Sequence, residues 1–293
     1  MSEGIFKSID EQIDILEKRG LTIRDKYFAI DLLLKNNYYR ISGYSLTLRN
    51  HDVFYSGTSF ENIVDIYNFD RIIRNILAKY LEIIEVSIKS IYAYKFSEKY
   101  GGDGYLSSNN FTDVNEYLNL IAKINEQKNK RIAHEAFIKH FVEELKKPMP
   151  RWVIVDLLTF SDISILYNIS EESLKVSIAK LYGLNMNNGV NILKEYLHEL
   201  TILRNFCAHG SRLFNRLFVR KPSLNSKEKK LLRKLNDGSL DNSHLFGFVL
   251  VMKRLLKGED FLNLKNDLIA LRNKIPFVSM NYYGFCDNWE NKL

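Results

Sequence analysis

Apolar residues recur three and four positions apart along most of this chain, the period of helices that bury one face. The longest such pattern starts at Thr58, which with Glu61 makes a candidate capping box, and runs to about Lys99. Ile63, Ile66, Tyr67, Ile73, Leu77, Leu81, Ile84, Ile88 and Ile91 form its stripe, so it is the expected scaffold of the core. Ahead of it, Ser8 with Glu11 opens a helix that ends near Gly20. Thr22 with Asp25 opens another, carrying Phe28, Leu32 and Leu33, which Asn36-Asn37 interrupts. Val53 to Thr58 reads as an extended or looped connection. Gly101-Gly102-Asp103-Gly104 breaks the chain, and without a following phosphate-binding lysine it reads as a loop and not a nucleotide cradle. Helices are expected from about Asp113 and from about Glu126 to Lys146, stopped by Pro148 and Pro150. Strand fits Trp152 to Val155, but the length and leucine content of Arg151 to Tyr167 favour a buried helix. Further helical patterns cover Glu171 to Tyr182, Val190 to Leu203, Ser226 to Asn236, Ser243 to Lys257 and Asp260 to Asn273. An aromatic tail from Pro276 to Trp289 is expected on the surface of the core or on a partner. With no strand-rich segment, repeat or low-complexity tract, the predicted fold is all-α, a bundle of long antiparallel helices.

At 293 residues, with 46% apolar residues and four prolines, the chain can bury a sizeable core. Cys207 and Cys286 offer no disulfide framework and fit a reducing compartment, and neither is placed like a zinc ligand. His134 and His140, six apart, do not share a helical face, so no metal and no cofactor is expected. Met1 to Gly20 lacks the apolar core of a secretory signal, and no run is long enough to span a membrane, which points to a cytoplasmic, soluble protein.

The net charge of +7 becomes informative once it is localised. Residues 201–256 hold twelve Lys or Arg against three acids, so the excess gathers there, as a phosphate-backbone partner would require. Lys227 to Lys234 reads more simply as the solvated face of a surface helix. Arg212, Arg216 and Arg220 recur every four residues among Leu213, Phe214, Leu217 and Phe218, and would present one cationic and one apolar face if helical. The stretch just ahead of them, Leu203-Arg204-Asn205-Phe206-Cys207-Ala208-His209-Gly210, carries an arginine, an asparagine and a histidine on or at the end of a buried helix. On a continuous helix Asn205 and His209 share a face. His209 has the one side-chain type whose ordinary pKa suits proton transfer near neutrality, Arg204 can hold two phosphate oxygens at once, and Asn205 can orient either the imidazole or the phosphate. The competing reading is structural: Arg204 paired with an acid of the longest helix and His209 capping a helix end before Gly210. Cys207 and Ala208 read as small packing residues. A cysteine nucleophile would need an adjacent base and an exposed cationic setting. On the longest helix Asp70, Arg71, Arg74 and Glu85 are the polar groups that could face a site, although Asp70 with Arg74 and Glu85 with Lys89 are ordinary four-apart ion pairs in the simplest reading. The aromatic run around Arg40 could stack bases, although such runs more often pack in a core.

Four ordered blocks carry a resemblance: Asn37-Tyr38-Tyr39-Arg40 with Gly43-Tyr44; Ile66-Tyr67-Asn68-Phe69-Asp70-Arg71 with Arg74; Pro150-Arg151-Trp152-Val153; and Leu203 to His209 with Arg212-Leu213-Phe214-Asn215-Arg216. Together they resemble the Abi family of phage abortive-infection proteins, of the AbiD and AbiF kind, over roughly Leu21 to Pro222. That family belongs to the HEPN superfamily, whose helical domains cleave RNA without metal through an arginine and a histidine four to six residues apart. The resemblance implies a HEPN-like core at 59–222 between an N-terminal helical extension, 1–58, and a basic C-terminal one, 223–293. It assigns Arg204, Asn205 and His209 to catalysis, with Arg212, Asn215, Arg216, Tyr39, Arg40, Arg71 and Arg74 as RNA-binding or accessory residues. Two departures stand out. Many relatives have a second histidine where this chain has Gly210, and Ser211 stands where HEPN toxins controlled by adenylylation have a tyrosine.

Cleaving RNA by its own 2′-hydroxyl needs a base, an acid and a cation, yet one chain supplies one such histidine. A two-fold dimer would supply both proton-transfer groups, so a homodimer is expected. The expected function is a metal-independent endoribonuclease toxin of an abortive-infection or toxin–antitoxin system. RNA is then its substrate, a small RNA is conceivable as a regulator, and any antitoxin is unidentified. The other hypothesis is an RNA-binding or protein-interaction module without catalysis.

Overall fold

A computed structural model describes residues 6–185 and 188–293. The Ser8–Glu11 box foreseen from the sequence caps α1 (Ile9–Lys18), each residue's side chain accepting from the other's backbone N–H. α2 (Lys26–Asn36) starts at Asp25, whose carboxylate accepts from the Phe28 N–H at 2.9 Å, while Thr22 lies outside the helix in a bridge to Ser59. Asn37, with φ of 63°, ends α2 and also caps α3 (Tyr38–Ser42), its Oδ1 accepting from the Tyr39 N–H at 2.9 Å. Part of the connection expected to be extended pairs instead: β1 (Arg49–Asn50) and β2 (Val53–Phe54) form a small antiparallel hairpin.

The long helix α4 (Phe60–Tyr100) has 41 residues and is therefore about 60 Å long. It begins one residue later than Thr58–Glu61 suggests, because the Ser59 N–H donates to Asn62 Oδ1 at 2.9 Å. The expected break near Glu126 is absent. α5 (Val114–Arg131) runs through it, since Tyr117, Leu120 and Ile124 keep one buried face in register. The rest of that segment is α6 (Ala136–Lys139) and a π-helical turn, His140–Glu144, in place of one helix to Lys146. The apolar run after Pro150 is helical, but in two pieces: α7 (Arg151–Ile154) and α8 (Phe160–Ile169). Thr159 and Asp162 form a capping box inside it and start the second piece.

α9 (Glu172–Leu181) ends before Gly183, and α10 (Gly189–Ala208) packs against both α4 and α8. The basic segment after Asn225 is helical only over α11 (Ser226–Lys229), not to Asn236. α12 (Leu245–Leu255), α13 (Gly258–Lys274) and the short α14 (Trp289–Lys292) follow. The aromatic tail is not a surface strip: Tyr283, Phe285 and Trp289 are buried. One apolar cluster runs from Ile13 to Trp289, with α7, α9, α10 and α13 all packed on α4, so the fold is an all-α bundle organised by that helix. Among the described residues no helix is long and apolar enough to cross a membrane.

Candidate active site at the end of α10

Leu193, Leu197, Leu200 and Leu203 bury one face of α10 completely, which fixes where its last turn emerges. Arg204 is half-buried there, and Asn205 and His209 are exposed. His209 is the C-cap, and its backbone N–H still donates to the Asn205 carbonyl at 3.0 Å, so the two side chains lie one turn apart, as the spacing suggested. Neither side chain has a hydrogen bond among the described residues. The Arg204 Nε lies 3.6 Å from Glu85 Oε2 on α4, and Lys89 lies 2.9 Å from the same carboxylate. Both elements of the structural reading, the pair to an α4 acid and the capping position, are therefore present beside the exposed imidazole.

The chain leaves α10 through a Schellman turn. Ser211 N–H donates to the Phe206 carbonyl at 2.9 Å and Gly210 N–H to that of Cys207 at 3.2 Å, with Gly210 at φ of 62°. Arg40 of α3 donates to the Gly210 carbonyl, and a Cβ at position 210 would lie 2.9 Å from its Nη2. Arg212 reaches the other way and donates to the Gly43 carbonyl, just beyond α3. Arg74 is buried and bonded to Asp70, and its Nη1 lies 3.4 Å from the Ser211 carbonyl. It holds the turn from beneath and is not placed to touch a ligand directly.

Asp70 is the hub of this clamp. Its carboxylate accepts from the Leu213 N–H at 3.2 Å and the Phe214 N–H at 2.7 Å, from Tyr44 Oη at 2.8 Å and from Tyr283 Oη at 3.1 Å. Burial pushes its pKa up, and the Arg74 charge with the donated hydrogen bonds opposes that. From the sequence, Asp70 and Arg74 are either groups facing a site or an ordinary four-apart ion pair; the pair is present, but buried, and its role as a clamp on the motif turn was not foreseen. The signal was available: Asp70 falls in the buried register of the α4 stripe, between Ile66 and Ile73.

The segment from Ser211 to Asn225 is not helical, so Arg212, Arg216 and Arg220 share no cationic helix face. Backbone donors of this segment are spent on Asp70 and on the tail, where Asn215 N–H meets the Tyr282 carbonyl at 3.0 Å, in place of a helical ladder. Arg216 instead stacks on Phe206, 4.2 Å from the ring centre, and burial, with the Arg212 charge second, lowers its pKa. Arg220 pairs with Glu195 of α10. Asn215 is exposed at φ of 48°. Arg71 is exposed on α4 and makes no contact with the motif turn among those described, whereas Tyr39 is exposed on α3 beside Arg40. The structure thus brings Arg40, Arg74, Arg212 and Arg216 to the motif, while Arg71 and Asn215 stand apart from it. Burial pushes the Cys207 thiol up to about 12, which leaves it a packing residue. Five residues before Arg204, Glu199 is fully buried. One carboxylate oxygen accepts from the Ser223 N–H at 3.0 Å and the other has no partner among the described residues. Burial raises its pKa to about 8.

An all-α chain that presents an Arg-Asn-His set on a clamped helix end is the class these features define. The chain matches the Abi-like protein family over residues 31–215 and belongs to that family. Membership places it among abortive-infection proteins of phage defence. No curated protein and no solved structure matches it. Three of the four sequence blocks, those around Arg40, Asp70 and Arg204, meet in space at this one turn.

Proposed function

We propose that this chain is an endoribonuclease toxin of phage defence, of the HEPN superfamily and the AbiD or AbiF kind. The observation that carries the reading is that a helix anchored by a buried leucine face presents exposed Asn205 and His209 and half-buried Arg204 on its last turn, ahead of a loop fixed by three arginines and Asp70. His209 takes the proton of the substrate's 2′-hydroxyl while that oxygen bonds to phosphorus. The bond from phosphorus to the 5′-oxygen then breaks, and the leaving oxygen takes a proton from an acid. Arg204 neutralises the charge that gathers on the phosphorane, and Asn205 orients the imidazole or the phosphate.

A second copy of the chain supplies the acid. A groove of about 660 Å³ between α4 and α7 suits it, lined by Val86, Lys89, Tyr94, Trp152 and Asp156 among others. Val86, Tyr94 and Trp152 are each more than half exposed. Asp156 is exposed at its rim, and Lys89, already paired with the Glu85 that faces Arg204, links the groove to the motif.

Arg204→Ala and His209→Ala should each abolish growth arrest and cleavage of labelled RNA, with unchanged circular dichroism. Products of the parent should carry a 2′,3′-cyclic phosphate and a 5′-hydroxyl, and should form in excess chelator. Full toxicity in either variant would sink the reading. Binding without cleavage is favoured by one observation, that Arg204 already faces Glu85. Under it, RNA is held with steep salt dependence and recovered intact.

A further inference from the structure

The block around Arg40 supplies that arginine and Tyr44 to the clamp on the motif turn, but Tyr38 and Tyr39 take no part in it. Tyr39 is 74% exposed, and Tyr38 packs edge-on against it with ring centres 5.7 Å apart. Both line a pocket of about 460 Å³ with Gln12, Ile15, Arg19 and Leu33, a size typical of small-ligand sites. One polar group there is unsatisfied. Gln12 Nε2 donates to the Lys7 carbonyl at 2.9 Å, which sets the direction of the amide, and Gln12 Oε1 is buried with no partner among the described residues.

We propose that this pocket receives one unpaired base of an RNA strand, stacked on Tyr39, with Gln12 Oε1 accepting from the base's exocyclic amine. The inference rests on the RNA reading above and adds to it a place where sequence is read. Tyr39 directly precedes Arg40, whose guanidinium holds the carbonyl of Gly210 next to His209. In this arrangement a strand leaves His209 across Arg40 and lays its next base on Tyr39, and the N–H groups that Arg40 does not spend on Gly210 serve the intervening phosphate. An aromatic face accepts any base, so Tyr39 supplies affinity without choice. Gln12 supplies the choice: adenine, cytosine and guanine carry a projecting exocyclic amine, whereas uracil has carbonyl oxygens that would oppose Oε1, and its one ring donor on that edge, N3–H, lies between them.

The test uses the full chain with His209→Ala, so that binding is read without cleavage, and fluorescent single-stranded oligoadenylate, oligocytidylate and oligouridylate as probes. Oligoadenylate and oligocytidylate should bind more tightly than oligouridylate. Adding Tyr39→Ala should weaken all three roughly tenfold, and Tyr39→Phe should restore them. Gln12→Leu should remove the preference against uridine and leave oligouridylate binding as it was. If the parent binds all three probes and neither Tyr39→Ala nor Gln12→Leu changes anything, the pocket proposal is overturned while the RNA reading stands, and the pocket belongs to a protein partner. If the parent binds no probe at all, both fall.

Discussion

A side chain at position 210 would meet two obstacles, a left-handed backbone and the guanidinium of Arg40 at 2.9 Å from its Cβ. Gly210→Ala should therefore cost about 1–3 kcal/mol, read as a lowered urea midpoint. Cleavage should fall further than stability does, because the same change pushes Arg40 off the carbonyl beside His209. The missing second histidine has a physical counterpart here, since Arg40 occupies the space next to Gly210. Glu199 gives a separate prediction. Burial holds its folded pKa at about 8, well above the ordinary glutamate range, so the folded chain keeps a proton that the unfolded chain releases. Stability should then fall as pH rises through that window, by up to about 1.4 kcal/mol per unit, and level off above it. Glu199→Gln should flatten the profile, with urea midpoints near the parent's at about pH 5 and above them at about pH 9.

At the level of elements, α4 matters through one turn of its length. Asp70 and Arg74 sit where the apolar stripe would have placed aliphatic residues, and they fasten the chain after α10 to the core. Asp70→Ala should cost about 3–5 kcal/mol, because it strands a buried guanidinium and the backbone donors of Leu213 and Phe214. A double variant, Asp70→Asn with Arg74→Met, should recover part of that in denaturant titration, since Asn keeps an oxygen for the Leu213 and Phe214 N–H groups, yet leave cleavage low because the Ser211 carbonyl is no longer held by Arg74. The helices themselves were legible from periodicity: the stripes of α4 and α10 are buried as their spacing implied, with Tyr67 and Ile91 of α4 only partly so. Legibility failed where a local cap outweighed the pattern, as with Thr159 and Asp162 inside the apolar run. It failed again after Gly210, where arginines four apart suggested a helix but the backbone donors go to Asp70 and the tail. The motif was readable because it is local in sequence. Its clamp was not, because Arg40, Asp70 and Tyr283 come from distant parts of the chain and only tertiary packing unites them.

For the whole molecule, the proposed two-fold arrangement makes activity depend on association. Val86→Arg, in the groove beside Glu85 and Lys89, should leave the fold intact, shift the sedimenting species to the monomer and abolish cleavage at low protein concentration. Adding Val86→Arg chains to His209→Ala chains should restore nothing, since the groove is needed on both partners. A dimer that persists in the variant would remove this groove from consideration. The Tyr283 hydroxyl on Asp70 has one more implication, and it concerns the order of events during synthesis. Arg204 and His209 leave the ribosome long before Tyr283 does. The loop that follows them therefore acquires this brace only after the motif itself has been synthesised, and until then Asp70 holds the turn through Arg74, Tyr44 and the Leu213 and Phe214 N–H groups alone.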